Sequence, residues 1–335
     1  MWCLYPCGKN TFRNLQSFMD IKEILKKEFN DIQFDIPLAD HTTFRIGGPA
    51  AYFLVCKSSE RILKAKKISV ELKLPVFILA GGSNLLVSEH GFDGLVLKLE
   101  HKDFQISGVS LKAQAGASVS DIVTATTNAG LKGFEWAGGL PGTIGGAIRG
   151  NAGAFRGEIK DVVQRVTALV GGEKLETFSR EDCRFSYRNS IFKEKGWIVL
   201  EAVFQLQQAD PGTLQSIAQE HIKYRKERHP LEFPSAGSIF KNCDVKKFSA
   251  QLQQELQPSV KQDPFPVVPT AYLIWKACLA GTKIGGAQVS LKHPNYIVNV
   301  GGAIAKDVLD LISLIQKNIQ KKFGVELEPE IQYVS

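Results

Sequence analysis

The chain has 335 residues, 44% apolar and 22% charged, a balance typical of a soluble globular protein and, at this length, of two or three domains. No apolar run approaches ~18 residues, which excludes a membrane-spanning helix. The net charge of +7 is spread along the chain without a nucleic-acid motif, so a solvated surface and a site for an anionic small molecule are expected, with neither nucleic acid nor membrane as partner.

The start, MWCLYPCGKN, has no basic segment and no long apolar one, and only two residues precede Cys3. It reads as neither a secretory nor a lipoprotein signal, which leaves a cytoplasmic address. Residues 1–19 show no periodicity and are expected to be a dispensable extension. A helix is predicted over 20–29, with Ile21, Ile24, Leu25 and Phe29 on one face and Asp20 as its N-cap, Glu23 following three residues later. A strand at Ala51–Val55, a helix at Ser59–Leu72 capped by Ser58 or Ser59, and strands in PVFIL and at 95–99 make this opening mixed α/β. Alternation over 104–117 predicts two strands joined by a Ser-Gly turn, then a helix capped by Ser120 and running to Asn128. Strands near 162–170 and 174–178 are joined at Gly171-Gly172, and 197–206 is a long strand. Pro211-Gly212 is expected to open a linker, placing a boundary near 209–213. Beyond it come a helix ending before Pro230, a polar loop PSAGSIFKN leading into a short strand, an irregular proline-rich segment at 258–269, and a short helix AYLIWKACLAG closed by Gly281. Strands in KIGGAQVS and NYIVNV, an amphipathic helix at 306–323 and a final strand ELEPEIQYV complete the chain. Cys3, Cys7, Cys56, Cys183, Cys243 and Cys278 are scattered without a C-x-x-C, so free thiols and no metal are expected.

The most informative stretch is 130–153, GLKGFEWAGGLPGTIGGAIRGNAG, which holds 9 of the 30 glycines in 24 residues. Interleaved Phe134, Trp136, Leu140, Ile144 and Ile148 make it buried and ordered rather than a linker. Such density belongs where backbone approaches a ligand or where several residues take positive φ. The bland alternative is a small-residue packing seam. A second cluster, AGGSNLLV at Ala80–Val87, follows an apolar strand, and a third, TFRIGGPA, spans Thr43–Ala50. Strand followed by Gly-Gly-Ser-Asn suits a pyrophosphate, with backbone N–H groups and the Ser83 and Asn84 side chains as donors. Neither a Walker motif nor G-x-G-x-x-G is present at this loop.

With YRNSIFK, PSAGSIFKN, IGGAQVSLKHPNYIVN and LEPE, these motifs resemble the UDP-N-acetylenolpyruvoylglucosamine reductase (MurB) family, in the family's order from about residue 20 onward. The resemblance implies an FAD enzyme of peptidoglycan precursor synthesis with NADPH as co-substrate. It implies an α+β/α/β fold: a two-subdomain FAD module of the vanillyl-alcohol-oxidase type at 20–100 and 101–210, joined by the C-terminal strand 326–335, and a substrate domain at 211–325. A monomer is expected. Cofactor contacts carried over are Arg45, Gly47, Gly81, Gly82, Ser83, Asn84, Leu85, Gly138, Pro141, Gly142, Thr143, Gly145, Gly146, Asn151, Ala152 and Gly153.

Three residues are carried over as catalytic. Ser238 reads alone as a turn serine; by resemblance it protonates C2 of the substrate after hydride reaches C3, which requires neighbours that stabilise an alkoxide. Arg188 reads alone as a surface arginine; by resemblance its planar fork polarises the enolpyruvyl carboxylate. Glu330 reads alone as a solvated carboxylate; by resemblance it assists protonation or orients the carboxylate, while Glu328 is structural. Substrate contacts carried over are Tyr187, Arg225, Arg228, Lys241, Asn242 and Gln288, although Arg225 and Arg228 read alone as a solvated helix face. His41 and His293 are taken as local hydrogen-bonders.

The chain departs from the pattern at Phe155, where a tyrosine is usual and the adjacent Arg156 is a candidate to compensate, and at Cys243, Trp275 and Gln332. The interval from Arg188 to Ser238, 50 residues (238 minus 188), implies the branch without a tyrosine-bearing lid insertion. Two other readings stand beside this one: an FAD-dependent oxidase of the same fold acting on an alcohol or lactone, and a non-catalytic binder of anionic ligands.

Overall fold

The computed structural model describes residues 21–335, so the expected extension 1–19 and the Asp20 cap lie outside the described residues. Helix α1 spans 21–28 and buries Leu25. The first sheet has Phe92–Leu99 at its heart, parallel to Pro49–Cys56 on one side and Val76–Leu79 on the other, with Gln33–Pro37 antiparallel at the edge. Leu95, Val96 and Leu97 are all buried, as a strand covered on both faces requires. Helix α2, Ser59–Glu71, covers one face through Ile62, Ala65 and Ile68, and the Ser58 hydroxyl accepts from the Arg61 N–H to start it.

The second sheet is antiparallel throughout, in the order Lys174–Ser179, Val163–Val170, Ile198–Gln205, Ser110–Gln114, Phe104–Ser107. Helix α3 runs Val119–Asn128 and is capped by Ser118 rather than Ser120. The apolar face decides this, because Val119, Ile122 and Val123 are all buried and the helix must begin early enough to include Val119. Helix α4, Ile144–Arg149, lies in the glycine stretch, and α5 spans Ile191–Lys195. Pro211-Gly212 is not a linker but the first turn of α6, Pro211–Arg228. Asp210 accepts from the Thr213 N–H at 2.7 Å, and proline at the first helical position loses no hydrogen bond. Ala218 of α6 joins the apolar core shared by the first two sheets.

A second core lies under the third sheet, Ser235–Ser238, Tyr296–Asn299, Ala287–Val289 and Lys283–Ile284, all antiparallel. PSAGSIFKN therefore includes the edge strand itself, not a loop before one. Helices α7, Ala250–Leu256, and α8, Thr270–Lys276, flank this core. Helix α8 ends when Cys278 takes φ 58°, before Gly281 is reached. Helix α9, Ala305–Phe323, buries Val308, Leu311, Ile315 and Ile319 in one stripe and stops at the left-handed Gly324. The expected final strand is shorter than ELEPEIQYV: only Gln332–Val334 pairs, parallel to Leu85–Val87. Phe44, Ile46 and Leu86 of the first unit are buried in the second core, which ties the third unit to the glycine loops. No helix among the described residues is long and apolar enough to cross a membrane.

Candidate active site

The three glycine clusters meet. A side-chain carbon on Gly81 would lie 2.9 Å from Gly142 Cα, and one on Gly142 would lie 3.1 Å from Ser83 Oγ. Gly82, at φ 65°, faces the His41 carbonyl, and its own carbonyl accepts from the Thr43 N–H at 3.1 Å. Gly47 lies against Val87, and Gly145 against Ala115. Most of these glycines therefore have a reason within the protein: they let backbone pack on backbone. Gly146 is the exception. It is exposed, and an added carbon would meet only Thr143 Oγ1, at 3.7 Å. The seam thus has a closed side and an open side, and α4 with its Thr143 cap borders the open one.

Several residues expected at the cofactor have side chains engaged elsewhere. Asn84 Nδ2 donates to the Glu330 carbonyl at 3.1 Å, and its own carbonyl accepts from the Gln332 N–H. The buried Asn151 donates to the Ser186 carbonyl and to Glu158 and accepts from the Lys160 N–H. Both hold the shape of the seam. Gly138 and Gly153 present carbonyls to Arg225 Nε and Arg188 Nη2, at 2.9 and 2.7 Å. Leu85 starts the strand that receives the C-terminus, while Arg45 and Pro141 are exposed. Ala152 accepts from the Ile159 N–H.

Arg188 and Glu330, 142 residues apart in sequence (330 minus 188), form an ion pair of 2.9 Å, with both side chains only 22% exposed. Burial pushes the Glu330 carboxyl above its ordinary range, against the lowering influence of Arg188, Lys193 and Lys241. Arg188 sits at φ 56° in a two-residue turn closed by reciprocal Ser186–Asn189 backbone hydrogen bonds of 3.1 Å. A non-glycine residue held there costs about 1–3 kcal/mol and persists where its surroundings over-determine it. Ser238 ends its edge strand opposite Tyr296, after a register break between Ser235 and Ser238 in which Gly237 takes φ 78°. Such bulges re-aim a side chain. The next residue, Ile239, accepts from the Glu330 N–H at 2.7 Å, so the serine and the carboxylate are neighbours through one peptide.

Tyr187, Lys241 and Asn242 line a cavity of about 150 Å³ beside this pair. The Tyr187 hydroxyl accepts from the Asn242 N–H at 3.3 Å, and Lys241 is paired with Glu328. Arg225 is buried, lies 5.3 Å over the Phe155 ring, and keeps one guanidinium nitrogen, Nη2, without a partner among the described residues. Arg228, on the same helix, is exposed, and Gln288 donates to the Gly281 carbonyl in the turn that precedes its sheet's edge strand. The Arg156 N–H donates to Asp263 at 2.9 Å. Two contributors escaped the sequence reading. Thr43 binds the Ser235 carbonyl at 2.7 Å, and Lys98 donates to the Ala80 carbonyl at 2.6 Å beside the first glycine loop. Only Thr43 carried a signal, as a member of the TFRIGGPA motif.

His229 and His293 stand behind the site, their rings 5.3 Å apart. His229 Nδ1 lies 3.0 Å from the Tyr296 hydroxyl, and His293 Nδ1 is buried without a partner among the described residues. Burial lowers both imidazoles to about 4. Because both folded values lie below the ordinary 6.5, the unfolded chain takes up protons first as pH falls. The stabilisation is complete above pH ~6.5 and is lost on the way down to pH ~4. The melting midpoint is expected to fall between pH 6.5 and 4, and to fall less in His293→Phe; an equal fall in that variant would show that other groups cause it.

A mixed α/β glycine-loop seam with an open edge, a buried arginine held against it, and an arginine–glutamate pair met by a serine from the edge of the third sheet define a flavin-dependent oxidoreductase. Residues 50–179 match an FAD binding domain, and residues 229–334 match the C-terminal domain of UDP-N-acetylenolpyruvoylglucosamine reductase. The chain belongs to the UDP-N-acetylenolpyruvoylglucosamine reductase (MurB) family. It is 41% identical to the reductase of Caldanaerobacter subterraneus subsp. tengcongensis over 94% of this chain and 96% of that one. It is 39% identical to that of Lactobacillus acidophilus over 92% and 97%. The crystal structure of the Thermus caldophilus enzyme, 28% identical, superposes with a TM-score of 0.70 over 91% of this chain and 98% of that one.

Proposed function

We propose that this chain uses NADPH to reduce UDP-N-acetylglucosamine enolpyruvate to UDP-N-acetylmuramate, in the cytoplasm, with Ser238, Arg188 and Glu330 acting on the enolpyruvyl group. The observation that carries the reading is the Arg188–Glu330 pair, tethered to the seam through the Gly153 carbonyl and separated from Ser238 by one peptide. FAD, when bound at the open side of the seam, supplies the two-electron exchange between nicotinamide and enol ether. Backbone N–H groups around Ser83 and Gly142 suit its pyrophosphate.

The protein's own part is orientation and electrostatics. Arg188 presents a planar fork to the substrate carboxylate and stabilises charge pushed onto it. Glu330 orients that fork through the 2.9 Å contact. Ser238 gives its proton to C2, and the cations around Glu330 stabilise the alkoxide left behind. The Arg225 nitrogen with no partner among the described residues suits a diphosphate oxygen, and Tyr187, Lys241 and Asn242 offer a separate polar cavity to the rest of the substrate. Phe155 lacks the hydroxyl of the family's usual tyrosine, and Arg225 lies over its ring face, 5.3 Å from the centroid. Purified protein should show flavin absorbance, oxidise one equivalent of NADPH per flavin on its own, and sustain NADPH oxidation only when the enolpyruvyl substrate is present. Sustained NADPH oxidation at the same rate with and without the substrate would end the reading.

A further inference from the structure

We propose that Lys193 is a positioning residue that locks Arg188 in its left-handed turn and sets the charge balance of the Arg188–Glu330 pair. The proposal rests on Arg188 and Glu330 handling the substrate carboxylate. Lys193 lies in α5, and its ammonium reaches back to donate to the Arg188 carbonyl at 3.1 Å. That carbonyl belongs to the residue at φ 56°, so the contact falls on the strained peptide itself. The base of Lys193 is also fixed. Its N–H donates to the hydroxyl of buried Ser190 at 3.4 Å, and that hydroxyl donates to the Arg149 carbonyl at 2.7 Å, at the end of α4. The turn holding Arg188, the short helix after it and the edge of the seam are therefore one connected unit.

A neutral donor could make the same hydrogen bond, so the charge calls for its own reason. Lys193 is half-buried, whereas Lys195 on the same helix is exposed. Burial lowers the Lys193 ammonium, and Lys241 and Arg149 lower it further, while Glu330 and Glu328 act in the opposite direction. Around Glu330, Arg188, Lys193 and Lys241 favour the ionised carboxylate; Tyr187 and Tyr296 face it as neutral phenols. Arg188 alone would leave a desolvated one-to-one pair. Lys193 adds a further positive charge at the turn, which favours the ionised form of Glu330 and leaves Arg188 free to take a second carboxylate, that of the substrate.

The test follows two half-reactions in flavin-loaded protein, together with the affinity for UDP-N-acetylmuramate measured by titration. Lys193→Met is expected to keep its flavin and its reduction by NADPH. It should slow reoxidation by the enolpyruvyl substrate about 10-fold and weaken UDP-N-acetylmuramate binding. Removing a cation raises the pH at which Glu330 ionises, so the acid limb of reoxidation should move up by about one pH unit. Lys193→Arg, which keeps charge and donor, should restore the limb, and Lys193→Gln, which keeps only a donor, should not. An unmoved limb in Lys193→Met overturns the proposal, as does loss of flavin and melting midpoint to the same degree in the Met and Arg variants, which would make Lys193 a structural tie. Glu330→Gln separates the two levels. If it leaves reoxidation unchanged, the underlying functional reading fails; if it slows reoxidation while Lys193→Met does not, only the present inference fails.

Discussion

Ser238→Ala is expected to leave flavin reduction by NADPH nearly intact and to slow reoxidation by the enolpyruvyl substrate by ~10²–10⁴-fold, the range a positioned general acid contributes. The size of the effect follows from where the fold puts the hydroxyl. Ser238 stands at the end of an edge strand, directly after a bulge made possible by Gly237 at φ 78°. An ideal register would point the side chain along the pleat; the bulge re-aims it. Its neighbour Ile239 holds the Glu330 N–H, and Ser235 is bound to Thr43, which in turn donates its N–H to Gly82. The serine is thus tied to the acidic residue on one side and to the glycine seam on the other. Alanine removes one oxygen and disturbs none of these backbone contacts, so the defect should be confined to proton delivery. Rapid-mixing measurement of the two half-reactions checks this. Equal losses in both would mean that Ser238 only shapes the strand.

What could be read from the sequence divides along physical lines. The glycine clusters were legible because composition so far from the average has few causes, and they do converge, Gly81 on Gly142 and Gly82 on His41. Helices α2, α6 and α9 and the hairpin at 163–179 were legible from periodicity and turn residues. Boundaries were less so. Ser118 and Ser120 are both good caps, and only the burial of Val119 chooses between them. Pro211-Gly212 looks like a linker until Asp210 is seen capping the helix it starts. Side-chain end points were the least legible. Asn84 suited a pyrophosphate by type, yet its amide reaches Glu330, 246 residues away. Lys193 stood within the quoted YRNSIFK motif, but its reach to the Arg188 carbonyl depends on a left-handed arginine that no spacing announces. Arg225 and Arg228 share a helix and a chemistry, and only the fold buries one and exposes the other.

Gly146→Val is expected to yield a folded protein that purifies without flavin and does not turn over. Within the chain the substitution has little to disturb. Position 146 is exposed, its nearest potential contact is Thr143 Oγ1 at 3.7 Å, and glycine is itself a poor helix residue, so valine does not weaken α4. Gly82→Val is a poor probe by comparison. Its added carbon would fall 2.1 Å from the His41 carbonyl at a φ of 65°, so the fold would suffer before any ligand did. The two variants separate the reasons for glycine: Gly82 serves the protein's own packing, and Gly146 keeps the open side of the seam clear. If FAD lies against that side, two γ-methyls at 146 occupy space where backbone must meet the cofactor. Gly146→Ala, with one carbon, should retain an intermediate fraction of flavin. Absorbance per chain after purification, with the melting midpoint of the flavin-free protein as control, measures both effects. A valine variant with full flavin occupancy would place the cofactor away from α4, and an unfolded one would show that glycine here serves the helix and not the ligand.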